Sequence, residues 1–128
     1  MESAEQAIEQ QCAAINERDV PRYLASTNFP FTYQNYNGVS VTVESADRYP
    51  ATAPWPWDII LSTDPRWSRT VYDTVEEVAR SESSAALKRV FRRITDDGGA
   101  SEPYQAIWIA TRVDGQWGVQ LRHNLGSR

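Results

Sequence analysis

Apolar residues in the first part of the chain recur every three or four positions, which is the spacing of an amphipathic helix. Ser3 and Gln6 stand three residues apart, as the capping residues at a helix N-terminus do. The pattern predicts a helix that buries five apolar residues, Ala4, Ala7, Ile8, Cys12 and Ile15. Asp19 predicts the cap of a second, short helix with Tyr23 and Leu24 facing inward.

Residues 29–43 alternate apolar and polar side chains on either side of an Asn-Gly pair, which is typical of a β-hairpin. A two-residue loop would place polar residues opposite apolar ones. A three-residue loop over residues 36–38, with Gly38 in the left-handed conformation, makes one coherent apolar face instead. We therefore expect two apolar cross-strand pairs, Tyr33 with Val41 and Phe31 with Val43.

The segment from residue 45 to residue 67 shows no long periodic pattern. Ser45 predicts the start of a third short helix. Four prolines between residues 50 and 65 argue against a long regular element in that stretch. We expect a surface excursion that carries Trp55 and Trp57 and encloses a turn over residues 59–61.

The rest of the chain is typical of a sheet. Four strands are predicted: Trp67–Arg80, Ser84–Thr95, Tyr104–Val113 and Trp117–Leu125. A three-residue loop over residues 113–115 would pair Ile109 with Val119 and Ile107 with Leu121. In that register Gln105 and His123 share the inward face, whereas Trp108, Gln120 and Arg122 point outward.

Length and composition restrict the class of protein. The chain has 128 residues, 41% hydrophobic and 23% charged, which predicts a single folded domain over residues 1–128. A formal net charge of −4 argues against a nucleic-acid or anionic-membrane surface. One cysteine and one histidine are too few for a disulfide or a structural zinc site, so we expect neither metal nor cofactor. An acidic start and the lack of a long apolar run predict a cytoplasmic protein without membrane contact.

Helices followed by strands predict an α+β domain, in which a curved antiparallel sheet wraps as a cone around two to three N-terminal helices. Such a sheet leaves a concave mouth, where small-molecule sites form. The helical start AIEQQCAAINERDV (residues 7–20) and the closing segments YQAIWI (104–109) and VDGQWGVQ (113–120) resemble the nuclear-transport-factor-2-like (NTF2-like) superfamily, in its SnoaL-like bacterial branch. In element order the resemblance covers nearly the whole chain.

The resemblance implies a cystatin-like or NTF2-like roll with an internal pocket, commonly assembled as a homodimer. The superfamily contains ketosteroid isomerases, polyketide cyclases, dehydratases, epoxide hydrolases and pocket proteins without enzymatic activity, so membership alone selects no function. An epoxide-hydrolase site would need two inward carboxylates held by an arginine. Asp73 with Arg89 supplies only part of it.

The ketosteroid isomerase mechanism is not supported by the residues at the matching positions. It needs a carboxylate base, together with a tyrosine and a protonated aspartate that stabilise an enolate oxygen. Gln11 stands near the position of the tyrosine, and Ile109 stands at that of the aspartate. The base belongs on the first strand, but no Asp or Glu occurs between Asp19 and Glu44. All three roles are vacant.

Dehydratase and cyclase members use a histidine–carboxylate pair, which suits the titration range of histidine. Here the candidates are His123, the one histidine of the chain, and Asp73 on the third predicted strand. A single histidine beside Leu121 and Leu125 is also typical of a packed or pocket-lining residue. Asp73 would equally well pair with Arg89 or Arg93.

Three hypotheses of function follow. The first is a pocket that binds a small apolar or aromatic molecule, lined by Tyr23, Phe31, Tyr33, Ile109 and Leu121. The second is a cofactor-independent lyase, isomerase or cyclase that uses His123 with Asp73. The third is a dimerisation module with a vestigial pocket. In each case the outer sheet face, with Trp108 and Arg122, is the expected homodimer interface, because Trp and Arg are enriched at interfaces.

Overall fold

The computed structural model describes residues 1–127. Within this range the chain forms three α-helices, one 3-10 turn and six strands: α1 (Ala4–Glu17), α2 (Val20–Ala25), β1 (Thr27–Asn35), β2 (Ser40–Val43), the turn Ala46–Arg48, α3 (Pro56–Thr63), β3 (Trp67–Arg80), β4 (Ser84–Thr95), β5 (Tyr104–Val113) and β6 (Gln116–Gly126). The predicted α+β class is confirmed, and α1 packs against β5 and β6. No helix in the described range is long and apolar enough to cross a membrane.

The two leading helices begin where the capping residues predict. The Ser3 side chain accepts a hydrogen bond from the backbone N–H of Gln6 at 3.0 Å, and the Gln6 side chain accepts one from the backbone N–H of Glu2. Asp19 caps α2 by accepting from the backbone N–H of Arg22. The predicted apolar stripe of α1 is buried, and Gln11 lies on the same stripe. Tyr23 is fully buried on α2.

The six strands form one sheet in the order β2-β1-β6-β5-β4-β3. The expectation of a wholly antiparallel sheet is wrong at one junction, because β1 runs parallel to β6. This pairing connects the first hairpin to the last strand, so the sheet joins the two ends of the chain. The first hairpin has the predicted register, with Phe31 opposite Val43 and Tyr33 opposite Val41.

The predicted register of the last hairpin is wrong. Val113 pairs with Gln116, so the loop has two residues, Asp114 and Gly115, and both have positive φ (51° and 78°) as a type I′ turn requires. Further along, Ala110 pairs with Val119 but Ile109 pairs with Leu121, which leaves Gln120 as the extra residue of a β-bulge.

Beyond the bulge the side chains of β6 face the helices in the opposite phase to the expected one, and β5 turns Ala106, Trp108 and Ala110 inward rather than Ile107 and Ile109. Trp108 and Arg122 are buried, with only 2% and 8% of their surface exposed, and they point inward. The expectation that they form an outer interface is therefore wrong. Ile109 and Leu121, expected inside, lie on the outer face together with His123, because side chains alternate along a strand.

The segment from residue 50 to residue 67 is more than a surface excursion. Its prolines lie at or outside the ends of α3, and Pro56 occupies the first turn, where its missing N–H costs nothing. Trp57 is buried, and Trp55 stacks on it with ring centroids 5.3 Å apart. The segment thus folds back over the open side of the sheet and becomes part of the interior wall.

Candidate functional site

A cavity lies between the inner face of the sheet, α1 and α3. A water-sized sphere has about 40 Å³ of room for its centre there, and about 480 Å³ of space, which includes open solvent, lies among the lining residues. Aliphatic side chains of α1 and α3 form one wall. Four aromatic rings of the sheet form the other: Tyr33, Tyr72, Phe91 and Trp108. A concave, largely apolar cavity therefore lies on the inner face of the sheet.

Arg122 of β6 is the most buried charged side chain that lines this cavity. Its guanidinium carbon lies 5.0 Å from the ring centroid of Tyr33, 5.3 Å from that of Trp108 and 5.4 Å from that of Phe31. Its Nη1 donates a hydrogen bond of 2.9 Å to Oε1 of Gln11 on α1. A guanidinium inside a ring of aromatic faces is a cation held away from bulk water.

Gln11 is held in the orientation that Arg122 requires. The Thr27 hydroxyl donates to the carbonyl oxygen of Tyr23 at 2.7 Å, so it accepts from Nε2 of Gln11 at 2.8 Å. This leaves Oε1 of Gln11 to face the guanidinium. The buried polar chain therefore runs from the α2 backbone to the cavity, and it sets the direction of Arg122.

Two more hydrogen-bond donors in the cavity wall have no partner within residues 1–127. Arg93 of β4 lines the cavity, and its Nε is buried without a hydrogen bond among the described residues. The indole Nε1 of Trp108 is in the same condition. Buried polar groups without partners are uncommon in folded proteins, and they point to a water, an ion or a ligand that completes the site.

The electrostatic balance of the wall is positive. Arg93 and Arg122 line the cavity, whereas its lining includes no Asp or Glu from the described residues. Burying a cation costs several kcal/mol, while a cation–π contact returns only about 0.5–2 kcal/mol. The aromatic rings also leave guanidinium N–H groups without acceptors. In a chain of net charge −4, this cavity concentrates positive charge.

A second cluster, in which Arg89 and Cys12 are buried, adjoins the cavity at Tyr72, whose ring centroid lies 4.5 Å from the guanidinium carbon of Arg89. Arg89 forms an ion pair of 2.7 Å with Glu9 and lies 3.4 Å from Sγ of Cys12. Burial raises the pKa of the Cys12 thiol to about 11, although the Arg89 charge opposes this shift. The thiol is therefore protonated at neutral pH and acts as a core residue, which agrees with its predicted place on the buried stripe.

The structure does not bring His123 and Asp73 together. His123 lies on β6 and faces outward, opposite Ile107. Asp73 is exposed on β3 and pairs with Arg92 at 3.5 Å, rather than with Arg89 or Arg93. Strands β5 and β4 lie between them, which corresponds to roughly 14 Å of sheet. A direct proton transfer between these two side chains is therefore impossible in this fold.

Three of the five predicted ligand-binding residues face the interior. Tyr33 lines the main cavity, and Tyr23, Phe31 and Tyr33 line a smaller adjoining hollow, to which Arg122 also contributes. Tyr23 is tied to the Trp-rich segment by a 3.2 Å contact between its hydroxyl and that of Tyr49. Ile109 and Leu121 point outward, so the structure places neither in the cavity.

Sequence reasoning missed the polar residues of the site. Gln11 carried a readable signal, because it is a polar residue on the otherwise apolar stripe of α1. No sequence signal distinguishes Arg93, because it lies close to three other basic residues on β4. Arg122 was assigned to the wrong face, because the bulge at Gln120 is not visible in the alternation.

Comparisons with known proteins define the fold and nothing narrower. Neither the models of protein families nor the curated proteins yield a match. Among solved structures, a protein from Thiobacillus denitrificans described as a calcium/calmodulin-dependent protein kinase type II association domain is 15% identical, with a TM-score of 0.75 over 98% of this chain and 96% of that one. An NTF2-like protein of unknown function from Shewanella oneidensis is 14% identical, with a TM-score of 0.64 over 94% and 93%.

A third similar structure is a protein of unknown function with a cystatin-like fold from Nostoc punctiforme, 12% identical, with a TM-score of 0.68 over 94% of this chain and 85% of that one. Identities this low establish shared architecture only. The chain therefore has the NTF2-like, cystatin-like fold that its helical start and closing hairpin predict. Because this fold hosts unrelated functions, the function must be argued from the cavity.

Proposed function

We propose that this domain binds a small molecule with an apolar or aromatic body, as a pocket protein of the SnoaL-like type. The observation that carries the proposal is the cavity between the sheet and α3, whose walls are aromatic and aliphatic. An empty apolar space inside a domain is destabilising, because its lining loses packing contacts. A ligand that fills the space restores those contacts.

A cavity-filling variant tests this proposal. Ala106 is buried on β5 and lines the cavity, so Ala106→Leu should occupy the ligand space. The matched control is Ala86→Leu, because Ala86 lies on the outer face of the neighbouring strand. Protein purified without unfolding is analysed by native mass spectrometry for a retained small molecule. Binding of phenol, indole and phenylacetamide is then followed by tryptophan fluorescence, since Trp108 forms part of the wall.

We expect the natural protein and Ala86→Leu to bind at least one aromatic probe or to retain a ligand. Ala106→Leu should bind at least tenfold more weakly while it unfolds cooperatively like the natural protein. The proposal is refuted if the natural protein retains nothing and responds to none of the probes. It is equally refuted if Ala106→Leu binds as well as the natural protein does.

The cofactor-independent lyase, isomerase or cyclase alternative loses its support. The His123–Asp73 pair on which it depends is separated by two strands, and both residues lie away from the cavity. The described residues that line the cavity supply arginines, tyrosines and an asparagine, which orient and bind a ligand, and they include no carboxylate or histidine to move a proton near neutral pH.

A homodimer through the outer sheet face is a second candidate, with residues other than Trp108 and Arg122. Ile107, Ile109 and Leu121 are half-buried on this face and lie next to one another across β5 and β6. Apolar residues at the centre of a sheet face suit an interface between two copies. Sedimentation equilibrium should give a dimer that Ile109→Lys dissociates, while Val113→Lys at the exposed hairpin end does not. A monomeric natural protein at micromolar concentration would contradict this candidate.

A cytoplasmic location completes the proposal. It is supported by the one cysteine, Cys12, which is a free and buried thiol, so the fold needs no oxidising compartment. Cell fractionation with an antibody to the untagged protein checks the location. Recovery in a secreted or envelope fraction would contradict it.

A further inference from the structure

We propose that the ligand of the main cavity is a small carboxylate with an apolar or aromatic body, held at its charged end by Arg93 and Arg122. This inference rests on the proposed binding function and adds the chemical class of the ligand. It depends on the charge of the wall rather than on its shape. Two arginines line one cavity whose lining contains no acidic residue from the described part of the chain.

Neither arginine is neutralised by the protein within residues 1–127. Other arginines of the same sheet have carboxylate partners, since Arg89 pairs with Glu9 and Arg92 pairs with Asp73. Arg122 has one hydrogen bond, to the neutral amide of Gln11, and Nε of Arg93 has none. Among the described residues, the partly or fully buried arginines of the sheet therefore pair with carboxylates except at the cavity, where we expect the partner to be the ligand.

The surrounding groups favour a carboxylate over a phosphate. The guanidinium fork matches the two oxygens of a carboxylate, and the unpaired indole N–H of Trp108 supplies one more donor in the same wall. Phosphate sites commonly add backbone N–H groups from a helix N-terminus or a turn. Here the sheet residues of the wall belong to paired strands, so their backbone N–H groups take part in the pairing of the sheet. The first turn of α3 presents Pro56, which has no N–H. The aromatic and aliphatic walls fit the apolar remainder.

Isothermal titration calorimetry with three probes tests the class of ligand. Phenylacetate carries the charge, phenylacetamide has nearly the same shape without the charge, and inorganic phosphate supplies an anion without an apolar body. The variants Arg122→Gln and Arg93→Gln each remove one guanidinium. Arg92→Gln is the matched control, because Arg92 is the neighbour of Arg93 on β4 and points to the outer face.

We expect phenylacetate to bind at least tenfold more tightly than phenylacetamide, with phosphate the weakest. Arg122→Gln and Arg93→Gln should remove this preference and leave phenylacetamide binding within about twofold, whereas Arg92→Gln should change nothing. If Arg122→Gln fails to fold, Arg93→Gln decides the question, because Arg93 is only half-buried.

Equal affinity for phenylacetate and phenylacetamide would overturn the carboxylate assignment and leave the binding function standing. Tighter binding of phosphate than of phenylacetate would overturn the assignment in favour of a phosphate group. If neither aromatic probe binds and the native protein retains no ligand, the binding function and the carboxylate assignment fail together.

Discussion

Arg122 provides the sharpest test of whether the cavity is built for a ligand or for stability. If the guanidinium serves to bind an anion, the ligand-free protein carries a buried charge without a counter-ion, and this charge lowers the stability of the fold. Arg122→Met removes the charge and keeps a long, flexible side chain of suitable size. Because Gln11 then loses its donor, the informative variant is the double substitution Arg122→Met with Gln11→Met.

The magnitudes follow from the contacts of the guanidinium. Arg122→Met forfeits one charge-assisted hydrogen bond, worth about 1.5–3 kcal/mol, and cation–π contact worth about 0.5–2 kcal/mol. It recovers the several kcal/mol spent on burying the cation. The single variant also leaves the Gln11 oxygen buried without a donor, at about 1–3 kcal/mol. Removing that oxygen should make the double variant more stable than the single one by about 2 kcal/mol.

Urea denaturation followed by tryptophan fluorescence measures these differences without ligand. We expect the double variant to be at least as stable as the natural protein and, in thermal unfolding followed by the same fluorescence, to melt about 6–10 °C above Arg122→Met. Arg92→Met, which removes an exposed ion pair, should change the free energy of unfolding by less than about 1 kcal/mol. A double variant more than about 1 kcal/mol less stable than the natural protein would refute the reasoning, since Arg122 would then be a structural group.

Three further predictions concern the frame of the cavity. Gly118→Ala should lower the free energy of unfolding by about 1–3 kcal/mol, because a Cβ there would lie 2.5 Å from Oδ1 and 2.9 Å from the backbone nitrogen of Asn28. An unchanged free energy of unfolding in urea would mean that β1 can shift away from residue 118 without cost. Trp57→Ala should lower the free energy of unfolding by about 3–5 kcal/mol. The control Leu125→Ala should lower it by less than about 1 kcal/mol, because Leu125 is 43% exposed. Equal losses measured in urea would contradict the role of α3 as an interior wall. The Cys12 thiol has a pKa of about 11 and should resist iodoacetamide at pH 7.4 until the protein is unfolded. In the unfolded protein the thiol ionises near pH 9, so its contribution to the stability of the folded state should be lost as pH rises from 9 to 11. Rapid alkylation of the folded protein would contradict the burial of the thiol.

The elements that depend on neighbouring residues could be predicted from the sequence. Ser3 and Asp19 cap their helices because the capping oxygen needs a backbone N–H only three residues away. The first hairpin has its predicted register because two features require the same three-residue loop: Gly38 in the left-handed conformation, and apolar residues on one face of both strands. In both places local chemistry and burial favour one answer.

The closing hairpin and α3 could not be predicted in the same way. Alternation is preserved on both sides of Gln120, so a one-residue bulge leaves no trace in the hydrophobic pattern and yet moves Arg122 inside. The proline spacing around α3 excludes a long helix, but it permits a two-turn helix that begins at Pro56. These outcomes depend on packing against β1 and α1, which are remote in the sequence.

By itself the sequence determined the α+β class, the two helix caps, the first hairpin and the net negative charge, since each follows from composition or from contacts within a short stretch of chain. The tertiary structure alone decided which residues meet in the cavity. His123 and Asp73, the pair that the sequence suggests for acid–base chemistry, are separated by two strands. Gln11, Arg93 and Arg122 lie on three elements distant in the sequence and meet at the cavity. The physical reason is that strand order decides which residues are neighbours and a single bulge sets the direction of the β6 side chains beyond Gln120, and neither is specified locally.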